Sequence, residues 1–190
     1  MPRRTIQYAP GHFYHLYNRG ARRLSIFREP DNYLFVLKQI GRYTGELGLA
    51  VIAYCLLPNH YHLLVRQDGE QSAGLLPTRV FNSYSKAYNK RYGHAGTLFA
   101  DRYRAVHVER DGQLLHLCRY IHANPVKHGI RRGQDWPYSN FAEWAGTRQG
   151  TLVDREFVCG NFASGDEYRA FVMDYVRDRW LPPELAYLEG

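Results

Sequence analysis

The spacing of apolar residues changes several times along the chain, and each change marks an element. Residues 12–19, HFYHLYNR, are aromatic-rich and predict a strand. In DNYLFVLKQIGRYTGELG (31–48) the positions Tyr33, Leu34, Leu37 and Ile40 fall near helical spacing, with Asp31 at the N-terminal end. LAVIAYCLL (49–57) is short, apolar and β-branched, which predicts a buried strand. Pro58-Asn59 signals a turn, and HYHLLVR (60–66) then returns as an antiparallel strand. Residues 74–93 predict a helix after Pro77, with Val80, Tyr84 and Tyr88 at four-residue steps. RYRAVHVER (102–110) alternates as a strand, and DGQLLHLCRYIHAN (111–124) is a helix with Asp111 as N-cap and Asn124-Pro125 as its stop. The order is strand, helix, strand, strand, helix, strand, helix. It predicts an α+β fold, an antiparallel sheet with helices to one side, and a ferredoxin-like arrangement is the simplest such layout. Beyond about residue 134, DWPYSNFAEW and DEYRAFVMDYV predict a small, partly helical C-terminal appendage. Tyr168, Phe171, Val172 and Tyr175 share a face there that suits packing on the main domain. The expected division is 1–134 as catalytic domain and 135–190 as extension.

Charge sharpens that division. Residues 1–134 carry 20 Lys+Arg against 8 Asp+Glu, whereas residues 135–190 carry 5 against 10. Of the 25 basic residues, 21 are Arg, whose planar fork grips phosphate bidentately. A polyanionic partner, nucleic acid, is the reading this asymmetry favours. The acidic extension is a candidate to seal a sheet edge or to screen the basic surface. Cys55, Cys118 and Cys159 are scattered and odd in number, which predicts neither a disulfide framework nor a zinc knuckle. No apolar run has membrane-spanning length, and the N-terminal stretch lacks an apolar signal core. A cytoplasmic, nucleoid-associated setting is expected.

The candidate chemistry lies in LLPNHYHLLV. Strand alternation puts His60, His62 and Leu64 on one face and Tyr61, Leu63 and Val65 on the other. Two imidazoles so placed can converge on one metal ion or one phosphate, or can be half-buried structural residues. On helix 111–124, Leu114, Leu117, Cys118 and Ile121 form the core stripe, and Tyr120 and Asn124 stack one turn apart at its margin. Such a pair can face a cleft, or it can be amphipathic packing and a helix stop. If the groups meet, the chemistry is coherent. A divalent cation held by His60, His62 and Asn124 polarises a phosphodiester, and a Tyr hydroxyl attacks it.

FYHLYNRG, AYCLLPNHYHLLV, GTLFADRYRA and RYIHANPV, in that order, resemble the IS200-like single-tyrosine transposases, whose His–apolar–His signature is the HUH motif. The set looks most like the REP-associated tyrosine transposases, over about residues 8–134 and more weakly through DWPYSNFAEW. The resemblance implies a ferredoxin-like domain that nicks and joins single-stranded or hairpin DNA through a covalent phosphotyrosine. It implies Tyr120 as nucleophile, His60 and His62 as metal ligands, Asn124 in the place of the third ligand, and Mg²⁺ or Mn²⁺ as cofactor. The insertion-sequence branch usually carries Gln at that third place; Asn agrees with the REP-associated branch. The resemblance leaves a monomer or a homodimer as the expected state: the insertion-sequence enzymes are commonly dimers that exchange tyrosine helices, and the extension of this chain is a candidate to support a monomer with its tyrosine in cis. Arg19, Arg22 and Arg23 after the first strand, and Arg102 and Arg104 at the fourth, are candidate DNA-phosphate contacts, as are Lys90 and Arg91. Two alternatives stand beside this reading: a nucleic-acid-binding protein without catalysis, and a two-histidine metal-dependent hydrolase that activates water.

Overall fold

The computed structural model describes residues 6–109, 111–130 and 136–188, and of Asp111 the backbone only. The expected boundary at 134/135 and the capping role of Asp111 lie outside the described residues. Four strands form one antiparallel sheet: β1 (Phe13–Arg19), β2 (Leu49–Leu57), β3 (His60–Gln67) and β4 (Arg104–Val108). Their order is β2-β3-β1-β4, the ferredoxin-like order. Helix α1 (Pro30–Leu47) joins β1 to β2, α2 (Leu75–Tyr92) joins β3 to β4, and α3 (Asp111–Lys127) follows β4. Three further helices, α4 (Phe141–Trp144), α5 (Arg155–Asn161) and α6 (Gly165–Asp178), precede a final 3₁₀ turn over Pro183–Leu188.

The helices cover both faces of the sheet rather than the one expected. α1 and α2 pack on the face that presents Tyr14, Leu16, Tyr61, Leu63 and Val65. α3 packs on the face of Ala53, Cys55, Leu57 and Leu64, and α6 packs on α3. The reason is visible in β2, which is almost continuously apolar, and in the burial of both β2 and β3 on their two faces, as strands sandwiched between layers must be. A β-bulge between Val51 and Ala53 rephases β2. Leu49 and Val51 face α1 and α2 before it, whereas Tyr54 and Leu56 do so after it.

β2 is an edge strand, and residues 136–140 close it. The Leu56 amide donates to the Tyr138 carbonyl at 2.9 Å, and the Tyr54 amide to Asn140 Oδ1 at 2.7 Å. Trp136 Nε1 donates to the Leu56 carbonyl at 2.8 Å, and Trp144 Nε1 to Ile52 at the bulge at 2.9 Å. The extension therefore pairs a sheet edge that would otherwise expose a row of backbone groups. Its helix α6 buries Tyr168, Val172 and Tyr175 against α3. Among the described residues no helix is long and apolar enough to cross a membrane.

α3 does not stop at Asn124-Pro125. It runs one more turn, with Pro125 inside it, and Gly129 ends it at φ 72°. A helical Pro costs about 3 kcal/mol in a helix interior, but here only one turn lies beyond it. That turn is tied back by His128 N–H to the Asn124 carbonyl at 3.0 Å and Ile130 N–H to Pro125 at 2.9 Å.

Candidate active site

The β2–β3 hairpin and α3 bring the sequence candidates together within one chain. His60 opens β3 opposite Arg19, and His62 stands opposite Tyr17, so both imidazoles rise from the face that α3 covers. Their ring centroids are 5.3 Å apart and the rings are perpendicular. Tyr120 presents its ring edge-on to His62 with centroids 5.6 Å apart. Asn124, one turn further along α3, is fully buried beside His60.

Each ring nitrogen has an assignable task. His60 Nδ1 lies 2.7 Å from Asn59 Oδ1, an acceptor, so the proton sits on Nδ1 and the Nε2 lone pair is available. His62 Nδ1 lies 2.9 Å from Nε2 of His15, whose own Nδ1 is 2.9 Å from the Tyr187 hydroxyl. Asn124 Nδ2 donates to the Tyr120 carbonyl at 2.8 Å, while its Oδ1 is buried and accepts no hydrogen bond among the described residues. An orphaned buried acceptor costs about 1–3 kcal/mol, so it calls for a partner. A neutral N, N, O set of this kind fits a divalent cation. Burial lowers His60 from 6.5 to about 4, helped by the charges of His128 and Lys127 and opposed by the Asn124 amide. Burial drives His62 well below its ordinary value, with His15, His60, His128 and Lys127 adding to it. Both imidazoles are therefore neutral at pH 7, the form that ligates a metal.

Tyr120 is 5% exposed, and its hydroxyl donates to the Leu188 carbonyl at 3.2 Å. The Lys127 ammonium stands 5.0 Å from the Tyr120 ring centre, and His128 packs on His60 with centroids 4.8 Å apart. A cleft of about 230 Å³ opens beside His60, lined by Arg23, Ser25, Pro58, Asn59, His128 and Ile130.

The five candidate arginines gather at the end of the sheet where β1 stops and β3 and β4 begin. Arg19 pairs across from His60 and Arg104 from Tyr17. Arg102 is in the loop before β4, and Arg22 and Arg23 form a one-turn 3₁₀ loop whose Arg23 borders the cleft. All five side chains are exposed. The loop is pinned to the hairpin: the Ile26 and Phe27 amides both donate to the Pro58 carbonyl, at 2.7 and 3.0 Å. Tyr84 and Tyr88 are core, and their hydroxyls donate to the Ile26 and Ser25 carbonyls to hold the loop from below. Arg91 is held by Glu29 at 2.9 Å and Asp31 at 3.3 Å, so its role in the fold is an ion pair.

Four residues at the site were not singled out from sequence: His15, Lys127, His128 and Tyr187. Reading Pro125 as a stop placed Lys127 and His128 outside the helix. His15 shares the face of Tyr17 and His62, which strand alternation does indicate. Tyr187 arrives from a distance of 172 residues along the chain, and no local pattern announces it.

Residues 9–124 match the family of IS200-like transposases, and the chain belongs to that family. Within it, a Haemophilus influenzae protein named as a candidate REP-associated tyrosine transposase is 31% identical over 102 residues, 47% of this chain. The chain spans 57% of the length of that curated relative. A solved structure of a REP-associated tyrosine transposase bound to a REP hairpin shares the fold, with TM-score 0.65 and 19% identity. That likeness covers 81% of this chain and 94% of the other.

Proposed function

We propose that this protein nicks and rejoins single-stranded, hairpin-bearing repeat DNA, with Tyr120 as the attacking group. The observation that carries the reading is the meeting, in one chain, of Tyr120 with His62 and of the buried Asn124 side chain with His60. The exposed arginines at that end of the sheet hold backbone phosphates and set the strand across the cleft. The Tyr120 oxygen gives up its proton to solvent and bonds to phosphorus as the phosphorus–oxygen bond to one strand breaks; that strand's oxygen takes a proton from solvent and leaves as a free hydroxyl, and the other strand stays on the tyrosine as a phosphodiester. The Lys127 ammonium offsets the negative charge that develops on the phenolic oxygen. His60, His62 and Asn124 would hold a divalent cation, Mg²⁺ or Mn²⁺, which when bound would supply charge that polarises a phosphate oxygen. The tyrosyl phosphodiester keeps the energy of the broken bond, so a second hydroxyl end can displace the tyrosine without a nucleotide cofactor. All groups come from one chain, which suits a monomer and equally a homodimer with each site in cis. A chromosomal repeat as substrate puts the protein at the nucleoid.

One observation favours a second reading, binding without catalysis. The Tyr120 hydroxyl is buried and engaged by the Leu188 carbonyl, so a phosphate reaches it only if the last turn yields. The experiment that separates the readings incubates end-labelled hairpin single strands with the protein and Mn²⁺ or Mg²⁺, then denatures. A covalent adduct that falls to background in Tyr120→Phe supports the proposal. Tight binding with neither adduct nor cleavage supports the binding protein, and cleavage that persists in Tyr120→Phe points to a water-activating hydrolase.

A further inference from the structure

We infer that His15 and Tyr187 are positioning residues for His62: together they form a buried hydrogen-bond chain that keeps the proton of His62 on Nδ1 and its Nε2 lone pair on the cation. The inference rests on the metal reading above. Its geometry is specific. His15 is fully buried; it lies nearly coplanar with His62, edge to edge, with centroids 5.1 Å apart and planes 12° apart, and stacks on Tyr17 at 4.6 Å and 16°. Held by the Tyr17 ring, it presents Nε2 to His62 Nδ1 and Nδ1 to the Tyr187 oxygen, each at 2.9 Å.

A neutral imidazole has one N–H and one lone pair, so this chain has two self-consistent directions. In one, Tyr187 donates to His15 Nδ1, His15 Nε2 donates to His62 Nδ1, and the remaining His62 proton lies on Nε2, where it blocks ligation. In the other, His62 Nδ1 donates to His15 Nε2, His15 Nδ1 donates to the Tyr187 oxygen, and His62 Nε2 is free to bind a cation. Only the second is compatible with metal. His60 needs no such device, because Asn59 Oδ1 can only accept. His62 has no direct acceptor of that kind and borrows one from the far end of the chain. Without the Tyr187 oxygen, an Nδ1 proton on His15 would be buried and unsatisfied. His15 would then carry its proton on Nε2 and force the blocking form on His62.

The test measures Mn²⁺ affinity of the full chain by calorimetry or by electron paramagnetic resonance of the free ion. It uses the unmodified protein and the variants Tyr187→Phe, His15→Leu, His15→Gln and His62→Ala, with folding checked by circular dichroism. His62→Ala identifies the site. Loss of an outer-sphere partner of a ligating imidazole costs about 10–100-fold in metal affinity. Tyr187→Phe and His15→Leu are expected to lose that much, and His15→Gln, whose amide oxygen accepts from His62 Nδ1, to regain most of it. Mn²⁺ binding that depends on His62 but is unchanged in folded Tyr187→Phe and His15→Leu overturns the relay and leaves the metal reading standing. Absence of any His62-dependent Mn²⁺ binding overturns both. If the His15 variants do not fold, the Tyr187→Phe result decides alone.

Discussion

Arg22 and Arg23 stand in left-handed backbone conformation, at φ 52° and 61°, where a residue with a Cβ costs about 1–2 kcal/mol. Gly20 just before them has no room for a side chain, since a Cβ there would collide with the Leu24 carbonyl oxygen. Glycine would suit positions 22 and 23 as well, yet both are arginine. Such strain is retained where the side chain has work to do. Arg23→Gly is therefore expected to hold or raise stability by up to about 1 kcal/mol. The same variant should weaken hairpin binding and lower the slope of log K against log salt by about 1. Thermal melts and a salt series of binding isotherms check the two halves, and an unchanged slope would remove Arg23 from the interface. At this scale the sequence was informative where chemistry follows a local period. His60 and His62 are two apart on a strand, and Tyr120 and Asn124 are four apart on a helix, so each pair was readable. That the two pairs meet was readable only through resemblance; alternation along β1 gave the face of His15 but not its link to His62, and Tyr187 was not readable at all, because no short-range pattern joins it to the site.

At the scale of elements, the strand and helix bounds follow the apolar periods to within a few residues, because β2, β3, α1 and α2 are each strongly patterned. What the periods did not disclose is how the extension engages the sheet. Asn140 is the joint. It is fully buried; its Oδ1 accepts from the Tyr54 amide at 2.7 Å and lies 2.8 Å from His122 Nε2, while its Nδ2 donates to the Ile52 carbonyl at 3.0 Å. These contacts fasten the closing segment to the bulged edge of β2 and to α3 at once. Asn140→Ala leaves the Tyr54 amide and His122 Nε2 buried without that partner, each worth about 1–3 kcal/mol, while the Ile52 carbonyl keeps Trp144 Nε1. The expected loss is about 3 kcal/mol or more, read as a lower urea midpoint with the slope m retained. A change below about 0.5 kcal/mol would mean that the edge is held by Trp136 and Trp144 without it. The extended α3 teaches the complementary lesson. Asn-Pro is a fair stop signal, but tertiary burial of Asn124 and Pro125 outweighs it.

The whole molecule divides its charge as the sequence indicates, with the exposed arginines at one end of the sheet and the acidic extension packed along the α3 face and the β2 edge. It also encloses several neutral histidines. Burial lowers His15 from 6.5 to about 3 and His122 to about 4, while His60 falls to about 4. A lowered folded-state value means that the unfolded chain takes up protons first as pH falls. Stability is therefore complete above about pH 6.5 and declines toward pH 4, by on the order of 1.4 kcal/mol per pH unit for each fully buried ring. Melting temperature in the absence of metal should drop steadily from pH 6.5 to 4.5, ahead of the carboxylates; a flat profile over that range would contradict the burial of these rings. The central claim, that Tyr120 takes the phosphate, is tested most directly by locating the DNA on the chain. A nuclease-trimmed, trypsin-digested adduct is read by mass spectrometry: cleavage after Arg119 and after Lys127 isolates residues 120–127, in which Tyr120 is the one hydroxyl-bearing side chain. The account requires the nucleotide mass on that peptide and nowhere else. Strand cleavage with that peptide unmodified, or with the mass on another tyrosine, would contradict it.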